Sequence, residues 1–259
     1  MNYVTIKISS ENGITKIFLN RPEVHNAMNE KMMKELKDCF NDLNSDDSKI
    51  IILTGKGKSF CAGADLNWMK SMAKYTKEEN IKDSKLLLNL YEEIYNCKKP
   101  VIALVNGHAF GGGLGLFAAC DIIIAKNDCK FAFSEVKLGI IPSVISTYIS
   151  RKISLSNMRK LFLTGERFDS TYAKEIGLVD FVGSETEVDE ICEKYVKILL
   201  SSGPKAIQEV KKLIDNCEKM NREDYKVHTV EKISELRVSK EGQEGINAFL
   251  EKKKPKWRE

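Results

Sequence analysis

The sequence predicts an α/β fold, and three observations carry that expectation. Short apolar runs alternate with helical stretches, two glycine-rich loops each open a helix, and the chain from Ser154 onward reads as almost wholly helical. A chain of 259 residues is long enough for one sizeable core, and nothing in it forces a split into independent units. Residues 1–195 are expected to form the core with the ligand site, and residues 196–259 a helical region of the same unit.

The elements follow in order. Residues 1–10 alternate as a strand, and residues 4–9 with 14–19 flank Asn12-Gly13, a dipeptide suited to a hairpin turn whose central residues need positive φ. A helix is expected from about Asn29. The run Ile50, Ile51, Ile52, Leu53 then leads through a glycine-rich loop to a helix over Leu66–Met72, and Val101–Val105 leads through a second such loop to a helix over residues 114–119. Ile122, Ile123 and Ile124 read as a third buried strand. Apolar strands separated by helices predict largely parallel pairing with right-handed crossovers, repeated as a spiral. In the helical region Gly203-Pro204 and Gly242 act as punctuation.

Composition excludes several classes. With Lys+Arg 41 against Asp+Glu 37, the formal charge is +4 and interspersed, which argues against a nucleic-acid partner yet suits a phosphate-bearing small ligand. No basic leader precedes an apolar run and no stretch is apolar enough to span a bilayer, so a cytoplasmic protein without a membrane partner is expected. Seven cysteines, an odd number without a close CxxC pair, predict buried free thiols rather than disulfides or a zinc site. His25, His108 and His228 lack metal-ligand spacing, so no metal is expected.

The chemistry is expected in the two loops, CAGADL at 61–66 and NGHAFGGGLGL at 106–116, where glycines let a ligand approach the backbone and free N–H groups at a helix start can face an anion. Two nucleotide motifs are testable here. Gly57-Lys58-Ser59 resembles the end of a P-loop, but Ile52 stands where that motif needs glycine. Gly113, Gly115 and Ala118 fit a loose dinucleotide fingerprint, yet the strand ends near Val105, too early for these glycines to make the turn.

CAGADL, NGHAFGGGLGL with Cys120-Asp121-Ile122, and FSEVKLGIIP at 133–142 resemble the enoyl-CoA hydratase/isomerase (crotonase) superfamily. So do Asn20-Arg21-Pro22, His25-Asn26-Ala27, LTGERF from Leu163 and AFLEKKKPKW from Ala248, and the resemblance covers essentially the whole chain. It implies a four-turn ββα spiral with a C-terminal helical trimerisation region, giving a homo-trimer or a hexamer built as a dimer of trimers. It further implies an acyl-CoA substrate, with no cofactor beyond the coenzyme A that is part of it. By position, the N–H groups of Ala64 and Gly112 would form an oxyanion hole for the thioester oxygen. Ala62, Gly63, Ala64, Asp65 and Leu66 would take the adenine and pantetheine, and Phe249 and Lys252 the nucleotide end.

The acid/base group departs from the usual hydratase pattern, which resembles this chain at Glu135 but has a second glutamate where Gly115 stands. Glu135 would act alone or with a neighbour such as Tyr148 or Ser143. Two reactions follow: hydration of a short or branched 2-enoyl-CoA, similar in local motifs to methylglutaconyl-CoA hydratase-like enzymes, or isomerisation with Glu135 moving a proton between α- and γ-carbons. A non-catalytic acyl-CoA or RNA-binding homologue, suggested by the basic tail from Lys252 to Arg258, is the alternative of another class. Asp65 is expected to cap a helix. Trp68, Met69 and Met72 either line the acyl pocket or pack in the core, and residues 143–146 would narrow that pocket with β-branched side chains.

Overall fold

The computed structural model describes residues 3–258, so Met1 and Asn2 of the expected first strand lie outside the described residues. The chain opens with the hairpin β1 (Ile6–Glu11) and β2 (Ile14–Leu19), turned by Asn12 and Gly13 at φ 50° and 75°. The first strand thus begins two residues later than the sequence suggested. Helix α1 (Glu30–Leu43) starts at Asn29, whose side chain accepts the Met32 N–H at 2.9 Å, and it buries Met32, Met33, Leu36, Cys39, Phe40 and Leu43 at helical spacing.

Three turns of one kind follow. In the first, β3 (Ile50–Gly55) is followed by the short β4 (Ser59–Cys61), then α2 (Leu66–Met72) and α3 (Lys77–Tyr95). In the second, β5 (Val101–Val105) leads to β6 (His108–Phe110) and α4 (Gly112–Ala118). In the third, β7 (Ile122–Lys126) leads to β8 (Lys130–Ala132), a 3-10 turn over Ser134–Leu138 and α5 (Ser143–Ile149). With the hairpin and α1 as a first, irregular turn, the spiral has the expected four. Helix α4 begins two residues earlier than its apolar pattern indicates, because its first turn is glycine.

After α6 (Leu155–Thr164), the short strand β9 (Phe168–Asp169), helix α7 (Ser170–Glu175) and strand β10 (Phe181–Gly183) interrupt the stretch expected to be helical. Helices α8 (Glu185–Leu200), α9 (Pro204–Lys219), α10 (Arg222–Val238) and α11 (Lys240–Leu250) complete the chain. The 195/196 division therefore falls inside α8.

The long strands form one sheet in the order β1-β2-β3-β5-β7-β10, parallel from β2 onward. Its central strands β3, β5 and β7 are covered on both faces, which is why they read as nearly unbroken apolar runs, whereas β1 is largely exposed. Ile51, Leu53, Val101, Ala103 and Val105 face the main core, while Ile50, Ile52, Ile102 and Leu104 face a second cluster closed by Val188, Cys192 and Val196 of α8. The short strands form a second sheet, β4-β6-β8-β9, in which β4, β6 and β8 run parallel. Its three parallel strands discharge side by side into the two glycine loops and the turn carrying Glu135. Six cysteines are buried free thiols, whereas Cys217 is exposed on α9 and departs from the expectation.

Candidate active site

The first loop is braced by the segment before α1. The Met28 N–H donates to the Gly63 carbonyl at 2.7 Å and the Asp65 N–H to the Met28 carbonyl at 2.8 Å, an isolated parallel bridge that steps over Ala64. Among the described residues the Ala64 N–H has no backbone acceptor, although its neighbours on both sides are tied. Asp65 then caps α2, accepting from the N–H groups of Asn67 and Trp68 at 2.8 and 3.3 Å. Its other oxygen accepts from Arg21 at 2.8 Å, and Arg21 also donates to the Ala27 carbonyl. Burial pushes the Asp65 carboxyl up, but these hydrogen bonds and the guanidinium charge outweigh it and hold the group below its ordinary value. Asn26, buried at φ 55°, donates to the Lys56 and Ser59 carbonyls and accepts from the Arg21 N–H, which locks the loop that precedes Met28.

The second loop turns at Gly111, whose φ of 49° and ψ of −124° suit glycine alone. Its N–H donates to Ala132 on β8, and its carbonyl accepts from Leu114. Gly112 is the first residue of α4, so its N–H has no acceptor within the helix. The two loops touch: a methyl placed on Gly63 would stand 2.9 Å from the Phe110 carbonyl and 4.0 Å from the Gly111 nitrogen. Gly63, just before one free donor, thus packs against the Phe110 carbonyl, just before the glycine turn that carries the other.

Glu135 faces the same turn. Its Oε1 lies 3.3 Å from where a Gly111 side chain would begin, and its Oε2 is buried without a hydrogen-bond partner among the described residues. Burial pushes the carboxyl up, offset only in part by its own backbone N–H, and no cation contributes to holding it ionised. A half-buried carboxyl with an unused acceptor, set against a glycine turn beside two unused N–H donors, is suited to moving a proton next to a forming oxyanion. Cys61, at the loop's edge, is fully buried, and burial pushes its thiol up to about 12, so it is no nucleophile.

Tyr148 and Ser143 do not join Glu135. The Tyr148 hydroxyl donates to Glu92 at 2.7 Å inside the core, and Ser143 is exposed at the start of α5, its carbonyl accepting from Ser146. Trp68 packs against the main core and donates to Asp83 at 2.9 Å, while Leu66 is exposed. Phe249 and Lys252 are exposed at the end of α11, a helix that packs on α9 and α10. The histidines serve locally: His25 pairs with Ser59, His108 accepts from the Lys130 N–H, and His228 pairs with Asn216.

The residue that sequence reasoning missed is Tyr91 of α3. It is fully buried, and its hydroxyl donates to the Gly112 carbonyl at 2.7 Å. A side chain begun at Gly115 would stand 2.6 Å from its ring, 2.7 Å from its hydroxyl and 2.7 Å from Ile145. The place of the second glutamate is therefore filled by Tyr91 and Ile145.

Two strand layers wound as a spiral, with free N–H donors and a carboxyl at the ends of adjacent strands, define a crotonase-type protein. Residues 9–259 match the Enoyl-CoA hydratase/isomerase family, and the chain belongs to it. The structure is similar to that of an enoyl-CoA hydratase from Shewanella pealeana, at TM-score 0.95 and 37% identity, covering 98% of this chain and 96% of that one. It is equally similar to AtuE of Pseudomonas aeruginosa, at TM-score 0.95 and 31% identity, covering 99% and 100%. The crotonyl-CoA hydratase of Syntrophomonas wolfei is 32% identical over 257 residues, 98% of each chain.

Proposed function

We propose that the protein is an enoyl-CoA hydratase acting on a short or branched 2-enoyl-CoA. The observation that carries this reading is the Glu135 carboxyl, with a partnerless oxygen, beside the unused N–H groups of Ala64 and Gly112. The thioester oxygen accepts both N–H bonds. Water adds to the β-carbon, its proton passes to the Glu135 carboxylate, and the electron pair of the double bond moves onto the thioester as an enolate. Protonated Glu135 then returns a proton to the α-carbon, so one carboxyl serves as base and acid. The donors act mainly as charge builds on the oxygen, and each is worth on the order of 3 kcal/mol in comparable sites. Family membership and the crotonyl-CoA hydratase relative support this reading.

A second reading, isomerisation of the double bond, is favoured by one observation: with Tyr91 and Ile145 against Gly115, only a single carboxyl serves the turn. Product mass separates the two. Incubation with crotonyl-CoA, 3-methylcrotonyl-CoA, 3-methylglutaconyl-CoA and a 3-enoyl-CoA should give products heavier by one water from the 2-enoyl substrates, and Glu135→Gln should abolish them. Isomerisation without mass change would replace the hydratase reading, and no turnover would leave a binding protein.

In this reading Ala62, Gly63, Ala64, Asp65 and Leu66 hold the adenine and pantetheine, and coenzyme A enters as part of the substrate. Phe249 and Lys252 would reach the nucleotide end from a neighbouring copy in a homo-trimer or hexamer. The exposed apolar residues Val210 and Ile214 of α9 and Val227, Val230 and Ile233 of α10 support such an assembly. A cytoplasmic location completes the proposal, supported by six buried cysteines that are free thiols.

A further inference from the structure

We propose that Tyr91 is a positioning residue that aims the Gly112 N–H at the thioester oxygen, and that Gly115 lacks a side chain so that Tyr91 can reach it. The inference rests on the two-donor site proposed above. Helix α4 is only seven residues long and begins Gly112-Gly113, with a third glycine at Gly115. Such a turn has little stiffness of its own, since glycine samples a wide range of φ and ψ and a two-turn helix is marginal. The two peptides that flank Gly112 must therefore be held by hydrogen bonds on both sides.

Three hydrogen bonds do this. The Gly111 N–H reaches Ala132 at 3.0 Å and the Gly111 carbonyl accepts from Leu114 at 3.0 Å, which fix the near side. The far side is fixed by the Tyr91 hydroxyl, which bonds the carbonyl of Gly112 itself at 2.7 Å. Of the three, this is the one made by a side chain, and it comes from another layer of the fold.

Tyr91 is in turn wedged. Its ring meets Tyr148 edge-on at 5.5 Å between centroids, and Tyr148 is anchored to Glu92. The ring and hydroxyl occupy the space over Gly112 and Gly115: first side-chain atoms there would lie 3.1 and 2.7 Å from the hydroxyl oxygen. A side chain at Gly115 would press on Tyr91 and Ile145 together and strain the bond to Gly112. The burial of the hydroxyl also matters, because water is kept from competing for the Gly112 carbonyl.

Tyr91→Phe in the full-length protein tests this, since the ring and its packing are kept. The readout is the red shift of enoyl-CoA absorbance on binding, which measures polarisation of the thioester carbonyl and does not depend on which reaction follows. The expected result is loss of most of the shift and a fall in kcat of about tenfold, with KM within a factor of two, for the loss of one well-placed bond. Thr54→Val is the control: it removes a buried hydroxyl bond of the same length, to the Leu104 carbonyl at 2.7 Å in the large sheet, and should leave the shift in place. A full shift in folded Tyr91→Phe overturns the inference alone, as does a shift lost equally in Thr54→Val. A wild-type protein that polarises no enoyl-CoA overturns the two-donor site and the inference together.

Discussion

Replacing Glu135 by Gln should weaken catalysis and strengthen the fold in the same protein. One carboxyl oxygen is buried with no partner, and desolvation raises its proton affinity above the ordinary value of 4.5. Because the folded-state pKa is raised, ionisation works against folding. The contribution of Glu135 to stability is greatest below the unfolded pKa and falls as pH rises from about 4.5 through the folded value, after which the loss is constant. The amide cannot ionise, so the variant escapes that loss. The buried polar atom itself remains in the amide, so the gain is confined to the avoided ionisation, and each 1 kcal/mol of it would raise Tm by roughly 2–4 °C in a chain of this size. Turnover should fall by about two to four powers of ten. Calorimetry of both proteins across pH 4 to 8, beside turnover assays, checks this. The Tm gap should be widest near neutrality and close towards acid, and the acid limb of the wild-type rate profile should lie above that of an ordinary carboxylate. A variant less stable than wild type at every pH would refute the reasoning, since Glu135 would then be a structural group.

Three further perturbations test the surroundings. Gly115→Ala should destabilise by about 1–3 kcal/mol through overpacking against Tyr91 and Ile145, read as a lower urea midpoint; an unchanged midpoint would mean that the wedge is loose. Asp65→Ala removes the α2 cap and leaves the part-buried Arg21 without its anion, so a loss of about 2–4 kcal/mol is expected in the same measurement, and a loss within 0.5 kcal/mol would contradict the bracing role. Val230→Asp, on the exposed apolar face of α10, should reduce the sedimenting mass to that of a smaller species without altering helical content; an unchanged mass would remove this face from the assembly.

The centre of the large sheet was legible because both of its faces are buried there, so runs such as Ile50–Leu53 and Val101–Val105 contain no polar interruption. The hairpin was legible from Asn12-Gly13, and α1 from Asn29. The second sheet was not, since β4, β6 and β8 are three residues each and too short to show a period. Helix α3 went unread although Thr76 and Glu79 form a capping box, because its apolar residues spread over several faces. Within the candidate site, motif position nominated Ala64, Gly112 and Glu135. It could not nominate Tyr91, because that residue's bond to Gly112 spans 21 residues and depends on how α3 packs over α4. The motif did leave a trace: glycine at 115, where a carboxylate was expected, marks the space that another side chain fills.

The bridge at Met28 has a consequence for how the protein can be watched. By tying the residues on either side of Ala64 and leaving that amide without an acceptor, it sets a fast-exchanging hydrogen inside a protected frame, and Gly112 provides a second at the head of α4. In deuterated solvent these two amides should exchange ahead of their neighbours in the free protein and slow together once a thioester oxygen occupies them. Such a response would report occupancy of the proposed site residue by residue, without any dye, substitution or turnover.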